Sequence, residues 1–498
     1  MDTTVSQDEL QTVLEQLNMT ADDPDLYRVL IGANLEATAL VDAIELPEPE
    51  IPERKWWRPI GEDNPLGAWY VRTDIRGATG GSLSGRTIVL KDTVLLAGVP
   101  LMAGTTILEG YVPQEDAEIV HRLLRAGVTI TGKSVCEAYC FSGGSHTSAT
   151  GPVHNPHNPA HTSGGSSSGS AALVAAGEVD MAIACDQGGS IRMPASYCGL
   201  VGMKPTFGLV PYTGILGMNP NVDHTGPLTR NVADNALLLE VLAGPDGVDS
   251  RQAGVEAGDY TGAVAGDVSG LRIGLVREGF EQDGGDPQVN ELVRAGCAQL
   301  ASLGATVTEL SIPMHKLGAG ITFAGIQSMM LSMFQMDGCL LERPDVTPEG
   351  YMKFQAGWRE RTDELPHNIR IGLLTAQILK NRYGSTYISR GMQRLPLVRA
   401  AYDDALREVD VLVMPTTPTT APLLPPENAD AAAVLAAAFG PLANTAIFNA
   451  THHPALSVPC GMVDGLPAGL MMIGRHWDEA TLYRAAGALE QSRDWRQV

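Results

Sequence analysis

Cysteine is scarce and uneven in this chain: seven residues scattered over 498, an odd number with no paired spacing. That excludes a disulfide-built fold and suits free thiols in a reducing compartment, so a cytoplasmic setting is expected. Basic residues are also few, 34 Lys and Arg against 57 Asp and Glu, for a net charge of -23. A polyanion such as nucleic acid, or an anionic membrane surface, would be repelled. The N-terminal stretch Met1 to Glu9 lacks a basic region followed by an apolar run, so no secretory signal is expected. The longest run free of charge, Ala431 to Val463, is broken by Pro441, Pro454 and Pro459 and makes a poor bilayer span. No internal repeat or low-complexity tract is present. What remains is an ordinary globular composition, 44% hydrophobic and 18% charged, with length for roughly three domain-sized units.

Residues 7 to 45 carry apolar positions at helical spacing (Leu10, Val13, Leu14, Leu17, then Leu26, Leu30, Ala33, Ala37, Leu40, Ile44). Pro47 to Pro52 breaks that pattern, and Trp56, Trp57, Trp69 and Tyr70 read as an aromatic connector packed on the body. A helical N-terminal domain over 1–75 is expected. From Arg86 onward short β-branched runs alternate with amphipathic ones: Thr87 to Leu90, helix Glu118 to Ala126, Val128 to Thr131, then Met181 to Cys185, Arg272 to Val276, Thr306 to Leu310, Val409 to Met414, Ala455 to Val458 and Gly469 to Ile473. This rhythm predicts an α/β fold with a sheet covered by helices on both faces. Residues 313–395 interrupt it, so a smaller inserted domain is expected between catalytic segments 76–312 and 396–498. Within the insert, Ile326, Met329, Met330 and Met333 share a helical face. Such a face belongs to a core, or else lines a pocket that adapts to varied apolar groups, because Met is flexible and polarizable.

Three motifs fail on context. Gly127-Val-Thr-Ile-Thr-Gly132-Lys133-Ser134 satisfies the phosphate-loop pattern, but its variable positions are β-branched and read as a strand. Gly165-Ser-Ser-Ser-Gly169 satisfies the nucleophile-elbow pattern at Ser167, yet a proline-containing loop rather than a strand precedes it. Cys136 with Cys140, the loop histidines His154, His157 and His161, and the pair His452-His453 do not supply converging ligands at metal-site spacing, so no metal is expected.

The stretch Ser163 to Pro205 instead sets two serines, Ser166 and Ser190, in glycine-rich turns 24 positions apart. Ser190 lies in Asp186-Gln-Gly-Gly-Ser-Ile-Arg-Met-Pro194, just beyond the strand-like run Met181 to Cys185. Backbone N–H groups of Gln187, Gly188, Gly189 and Ser190 are therefore candidates for an oxyanion hole. A serine hydroxyl needs a base. Lys91 ends the apolar strand Ile88-Val-Leu-Lys91, where burial is expected to lower the amine's pKa; standing alone, it would read as a strand-end lysine paired with Asp92 or with solvent.

Leu90-Lys91-Asp92, Gly164 to Ala172 and Asp186 to Pro194 together resemble the amidase signature family of Ser-cisSer-Lys hydrolases. Order and spacing agree as well as residues, with 75 positions from Lys91 to Ser166. Gly199 to Pro211, Gly226 to Arg230 and Gly465 to Gly469 extend the likeness, which looks strongest to a bacterial subgroup typified by a Rhodococcus amidase with a helical N-terminal domain. The resemblance implies the amidase signature fold, a large mixed central sheet, and a cofactor-free amide hydrolase. It implies Ser190 as nucleophile, Ser166 as proton carrier across a cis peptide, and Lys91 as base. It also implies substrate contacts at Phe141, Ser142, Gly143, Gly144 and Asp186, with a further wall at Ile447, Phe448 and Asn449. Small aliphatic or aromatic amides are the expected substrates; urethanase (carbamate) or aryl acylamidase activity is the alternative within the class. Less favoured are a nucleotide-binding protein, a binding protein without turnover and a glutamyl-tRNA amidotransferase subunit. The helical N-terminal domain resembles a dimerisation element, so a homodimer is expected.

Overall fold

The computed structural model describes residues 1–45, 49–340 and 347–498. Part of the expected Pro47–Pro52 break, and residues 341–346 of the expected insert, lie outside the described residues. The chain divides into two compact units, Met1–Glu50 and Ile51–Val498. In the first, helix Gln7–Leu17 starts where the Ser6 hydroxyl accepts from Glu9 N–H and stops at Asn18 in the left-handed region. Helix Pro24–Ala39 starts at Asp23, whose carboxylate accepts from Leu26 N–H, with Pro24 in its first turn. That second helix has no buried residue, although it carries Leu26, Val29 and Leu30.

Twelve strands among the described residues form one sheet in the second unit. They are β1 (Trp56–Trp57), β2 (Trp69–Arg76), β3 (Thr87–Lys91), β4 (Thr129–Ser134), β5 (Met181–Asp186), β6 (Val201–Lys204), β7 (His224–Thr229), β8 (Arg272–Val276), β9 (Thr306–Leu310), β10 (Val411–Pro415), β11 (Ala455–Val463) and β12 (Leu466–Ile473). Their order is β1-β2-β4-β3-β5-β7-β6-β11-β12-β10-β8-β9. The sheet is mixed: β3 runs parallel to β4 and β5, β8 runs parallel to β9 and β10, and the other pairs are antiparallel. The α/β rhythm of the sequence corresponds to this sheet and its covering helices. The boundary expected at 75 does not correspond to a break. Trp56 and Trp57 form the edge strand β1, and Trp69 and Tyr70 open its neighbour β2, because aromatic side chains suit a pleated, half-buried surface as well as a packed connector. The phosphate-loop pattern is β4 itself.

Central strands β3, β5 and β10 are buried almost throughout and read as continuous apolar runs, as expected of strands covered on both faces. Residues 313–395 contribute helices to the same compact unit. Pro313–Gln335 is apolar and long enough to cross a membrane by length and composition alone. It is broken into a 3-10 turn, two short helices and a π turn, and its Met330 and Phe334 are fully buried in an apolar cluster with Leu101, Leu108 and Ile369.

Candidate active site

Two adjacent parallel strands, β3 and β5, carry or lead into the residues expected to react. Lys91 is the last residue of β3, fully buried, and its Nζ lies 2.8 Å from Ser166 Oγ and 3.3 Å from the Cys185 carbonyl oxygen. Asp92, the alternative partner for Lys91, instead pairs with Lys133 Nζ at 3.0 Å and accepts from Met102 and Ala103 N–H. Ser166 lies in the loop ahead of helix Ser168–Ala175, and the Gly165–Ser166 peptide is cis. Gly165 N–H donates to the Gly143 carbonyl and the Ser166 carbonyl accepts from Glu137 N–H. A side chain at Gly165 would run into the Gly144 carbonyl, so this approach of two loops requires glycine.

Beyond β5 the chain turns through Gln187–Ile191 into helix Arg192–Cys198. Asp186 organises that turn. Its carboxylate accepts from Gly189 N–H (2.6 Å), Ile191 N–H (3.0 Å), Arg192 Nε and Nη2 (3.0 Å each) and Asn449 Nδ2 (2.9 Å). Burial alone would raise its pKa, but Arg192 and these N–H donors outweigh burial and hold it at about 2. The N–H of Gly189 is thus taken by Asp186. Of the four amides expected to form an oxyanion hole, those of Gln187, Gly188 and Ser190 have no hydrogen-bond partner among the described residues. Gly189 itself has φ 137°, and a side chain there would meet Thr445.

The Lys91 amine departs from expectation. Burial presses its pKa down, yet the sulfur groups of Cys140, Cys185 and Cys136, Cys140 leading, hold it above its usual value. Cys140 in turn is lowered to about 6, first by the Cys136 thiol beside it and then by Lys91, against the effect of burial. A strand-end amine among apolar neighbours gave no hint of thiols brought in from residues 136–140. Glu137 is buried too, its pKa raised to about 7 by desolvation; it accepts from Thr147 N–H and hydroxyl and from the Ser168 hydroxyl. It ties together the loops that carry Cys140 and Ser166.

A cavity of about 520 Å³ opens over this centre, with Ser190, Gln187, Gly188 and Cys140 in its wall. Phe141, Ser142 and Gly143 also line it. Gly144, Asp186, Ile447 and Asn449, expected at the substrate, do not. Asp186 and Asn449 face each other and Arg192 beneath the turn, Ile447 packs on Gly318, and Phe448 packs edge-on against Tyr402 in the core. Asp186 and Asn449 thus support the turn rather than contact the cavity. Sequence reasoning missed the far wall of Met218, Ile321, Phe323, Met392, Phe439 and Leu442. The methionine face divides: Ile326 and Met329 reach the cavity, whereas Met330 and Met333 pack in the apolar cluster. No Asp, Glu, Lys, Arg or His lines the cavity among the described residues, and its one ionisable group of shifted pKa is the Cys140 thiol beside Lys91.

The amidase family model matches residues 68–483, a span that holds both serines, the lysine and the Asp186 turn. The chain belongs to the amidase signature family. It is 44% identical over 465 residues to an enantioselective amidase of Rhodococcus rhodochrous, covering 91% of this chain and 89% of that one. It is 40% identical over 412 residues to a glutamyl-tRNA(Gln) amidotransferase subunit of Exiguobacterium sibiricum, covering 82% and 84%. Among solved structures, native peptide amidase from Stenotrophomonas maltophilia superposes with a TM-score of 0.69 at 29% identity, covering 82% and 83%. As an amidase-family hydrolase, this chain acts on carbon–nitrogen bonds.

Proposed function

We propose that this chain is an amidase of bulky, apolar carboxylic amides that works through Ser190, Ser166 and Lys91. The observation that carries the reading is the buried Lys91–Ser166 contact of 2.8 Å beneath a mostly apolar cavity whose wall includes Ser190. Lys91 in its neutral form accepts the Ser166 hydroxyl proton, and Ser166 Oγ accepts that of Ser190 as Ser190 Oγ bonds to the carbonyl carbon. Ser190 Oγ has no hydrogen-bond partner among the described residues, and a link of this kind tightens when substrate binds. The oxyanion is held by N–H of Gln187, Gly188 and Ser190, each worth about 100- to 1000-fold in rate. Ser166 then protonates the departing nitrogen, the C–N bond breaks, and an ester to Ser190 remains. Water cleaves that ester by the same relay, restoring Ser190 and releasing the carboxylic acid.

Substrate class follows from the wall. A cavity of about 520 Å³ is large for acetamide but falls within the range of drug-sized ligand sites. Phe141, Met193, Met329, Phe439 and Leu442 offer apolar and aromatic surface, which favours an aryl or arylalkyl acyl group. A glutaminyl substrate would bury an ammonium and a carboxylate where no acidic, basic or histidine side chain lines the wall, and unpaired buried charge is costly. This argues against the amidotransferase reaction. The test is one turnover panel: acetamide, an arylalkanoic primary amide, an anilide, ethyl carbamate and glutamine. The arylalkanoic amide is expected to give the highest kcat/KM and to leave an acyl adduct on Ser190 that mass spectrometry detects; Ser190→Ala forms none. Preferred turnover of glutamine or the carbamate, or an adduct in Ser190→Ala, would overturn the reading.

A further inference from the structure

Outside the hydrolytic centre, three potential metal ligands that are remote in sequence converge. Asp403 comes from helix Thr386–Glu408, His453 from the turn between helix Ile447–Thr451 and β11, and His476 from the turn after β12. Asp403 Oδ1 lies 3.1 Å from His453 Nε2 and 3.7 Å from His476 Nδ1, and the three ligand atoms all fall within 4.8 Å of one another. Tetrahedral or facial ligation with bonds of about 2.0–2.2 Å requires ligand atoms at about this separation.

The second nitrogen of each imidazole is already engaged. His476 Nε2 lies 3.0 Å from the Thr451 carbonyl oxygen, which can only accept, so the ring proton resides on Nε2 and Nδ1 presents a lone pair. That lone pair faces the Asp403 carboxylate, two acceptors with no proton between them in the neutral ring. His453 Nδ1 lies 3.0 Å from the Thr451 hydroxyl, which can accept its proton and leave Nε2 free to ligate. A carbonyl or hydroxyl fixing the far nitrogen is the usual support of a metal-bound histidine. Of the two nearby cations, Arg399 turns its guanidinium to the Thr451 carbonyl and to His452 Nδ1, and Lys204 donates to the Pro205 carbonyl.

We propose that Asp403, His453 and His476 bind one divalent transition-metal ion of the zinc class. Two imidazoles and one carboxylate, without thiolate, suit Zn²⁺, Co²⁺ or Ni²⁺ better than Mg²⁺ or Ca²⁺. His453 is fully buried while His476 and Asp403 are partly exposed, so the ion has a route in and a position for water. Bound there, it would fasten helix Thr386–Glu408, whose Met392 and Leu395 line the substrate cavity, to the ends of two central strands. The site was not legible from sequence because its ligands are separated by 50 and 23 positions, counting from 403 to 453 to 476.

The test is titration of the chelator-treated full-length protein with CoCl₂ and then ZnCl₂, followed by visible absorption and metal analysis after dialysis. One Co²⁺ per chain with nitrogen and oxygen ligand-field bands, displaced by Zn²⁺, is expected. Asp403→Asn and His476→Gln, both at partly exposed positions, should each weaken binding by at least about 100-fold. Absence of stoichiometric Co²⁺ in the wild type, thiolate-to-cobalt charge-transfer bands, or equal binding by both variants would overturn the proposal. The wild-type spectrum decides the matter even if a variant fails to fold.

Discussion

At the scale of single residues, the decisive contact is a lysine held between a serine and a set of thiols. The relay proposed for Lys91 needs the neutral amine, while Cys140 and its neighbours keep the amine's pKa above its usual value. The sign follows directly: the neutral fraction is small below that pKa and grows about tenfold per pH unit. Amide hydrolysis is therefore expected to climb throughout roughly pH 6 to 9 without a plateau. Cys140→Ser removes the negative partner, lowers the amine's pKa, and should shift the rising limb to lower pH. Steady-state kcat/KM against pH for the two proteins checks this; superimposable profiles would show that the thiol does not govern the amine. The same scale explains why Asp92 is unavailable to Lys91: Lys133, one strand away, occupies it.

At the scale of elements, the β5 turn is the part most dependent on a buried ion pair. Asp186 and Arg192 are both fully buried and hold the amides of Gln187, Gly188 and Ser190 in one concave turn. Arg192→Met leaves a carboxylate without its cation and should cost about 3–5 kcal/mol in urea-unfolding free energy. Because the folded-state pKa of Asp186 is depressed to about 2, its contribution is present above about pH 4 and is lost as pH falls through 2. Unfolding of wild type and Asp186→Asn should therefore converge between about pH 4 and 2; a constant gap would refute the assignment of that stability to the ion pair. Elements also mark where the sequence was readable. Strands β3, β5, β8, β9 and β10 announced themselves as short β-branched runs, and Lys91, Ser166 and Ser190 stood out through glycine-flanked motifs at fixed spacing. Strands β1, β2, β6 and β7 did not. Their aromatic, glycine and proline content has no period-2 signal, and only pairing with neighbours makes them strands. The cavity wall was hidden for a different reason. Apolar residues at helical spacing look alike whether they face a core or a void, and Met329 differs from Met330 only by the direction in which its helix turns it.

At the scale of the whole molecule, the N-terminal unit carries apolar surface that it does not bury. Leu26, Val29, Leu30, Leu40 and Ile44 are each more than half exposed, and an apolar helix without a buried residue calls for a partner surface. A second copy of the chain is the occupant we propose, in keeping with the homodimer expected from sequence. Sedimentation of the full chain should give a dimer and of a chain lacking residues 1–50 a monomer; an unchanged profile would refute it. The hydrolytic unit has its own division of labour. The groups proposed to make and break bonds lie between residues 91 and 190, on and beside two neighbouring strands, whereas most of the cavity's far wall is drawn from residues 218–446. The proposed reactive groups thus sit in one stretch of the chain, while recognition draws on that stretch through Phe141 and Met193 and mostly on a later one. A combinatorial library restricted to Met218, Ile321, Phe323, Met329, Met392 and Phe439 would retarget the enzyme toward new acyl groups while leaving its bond-breaking apparatus intact.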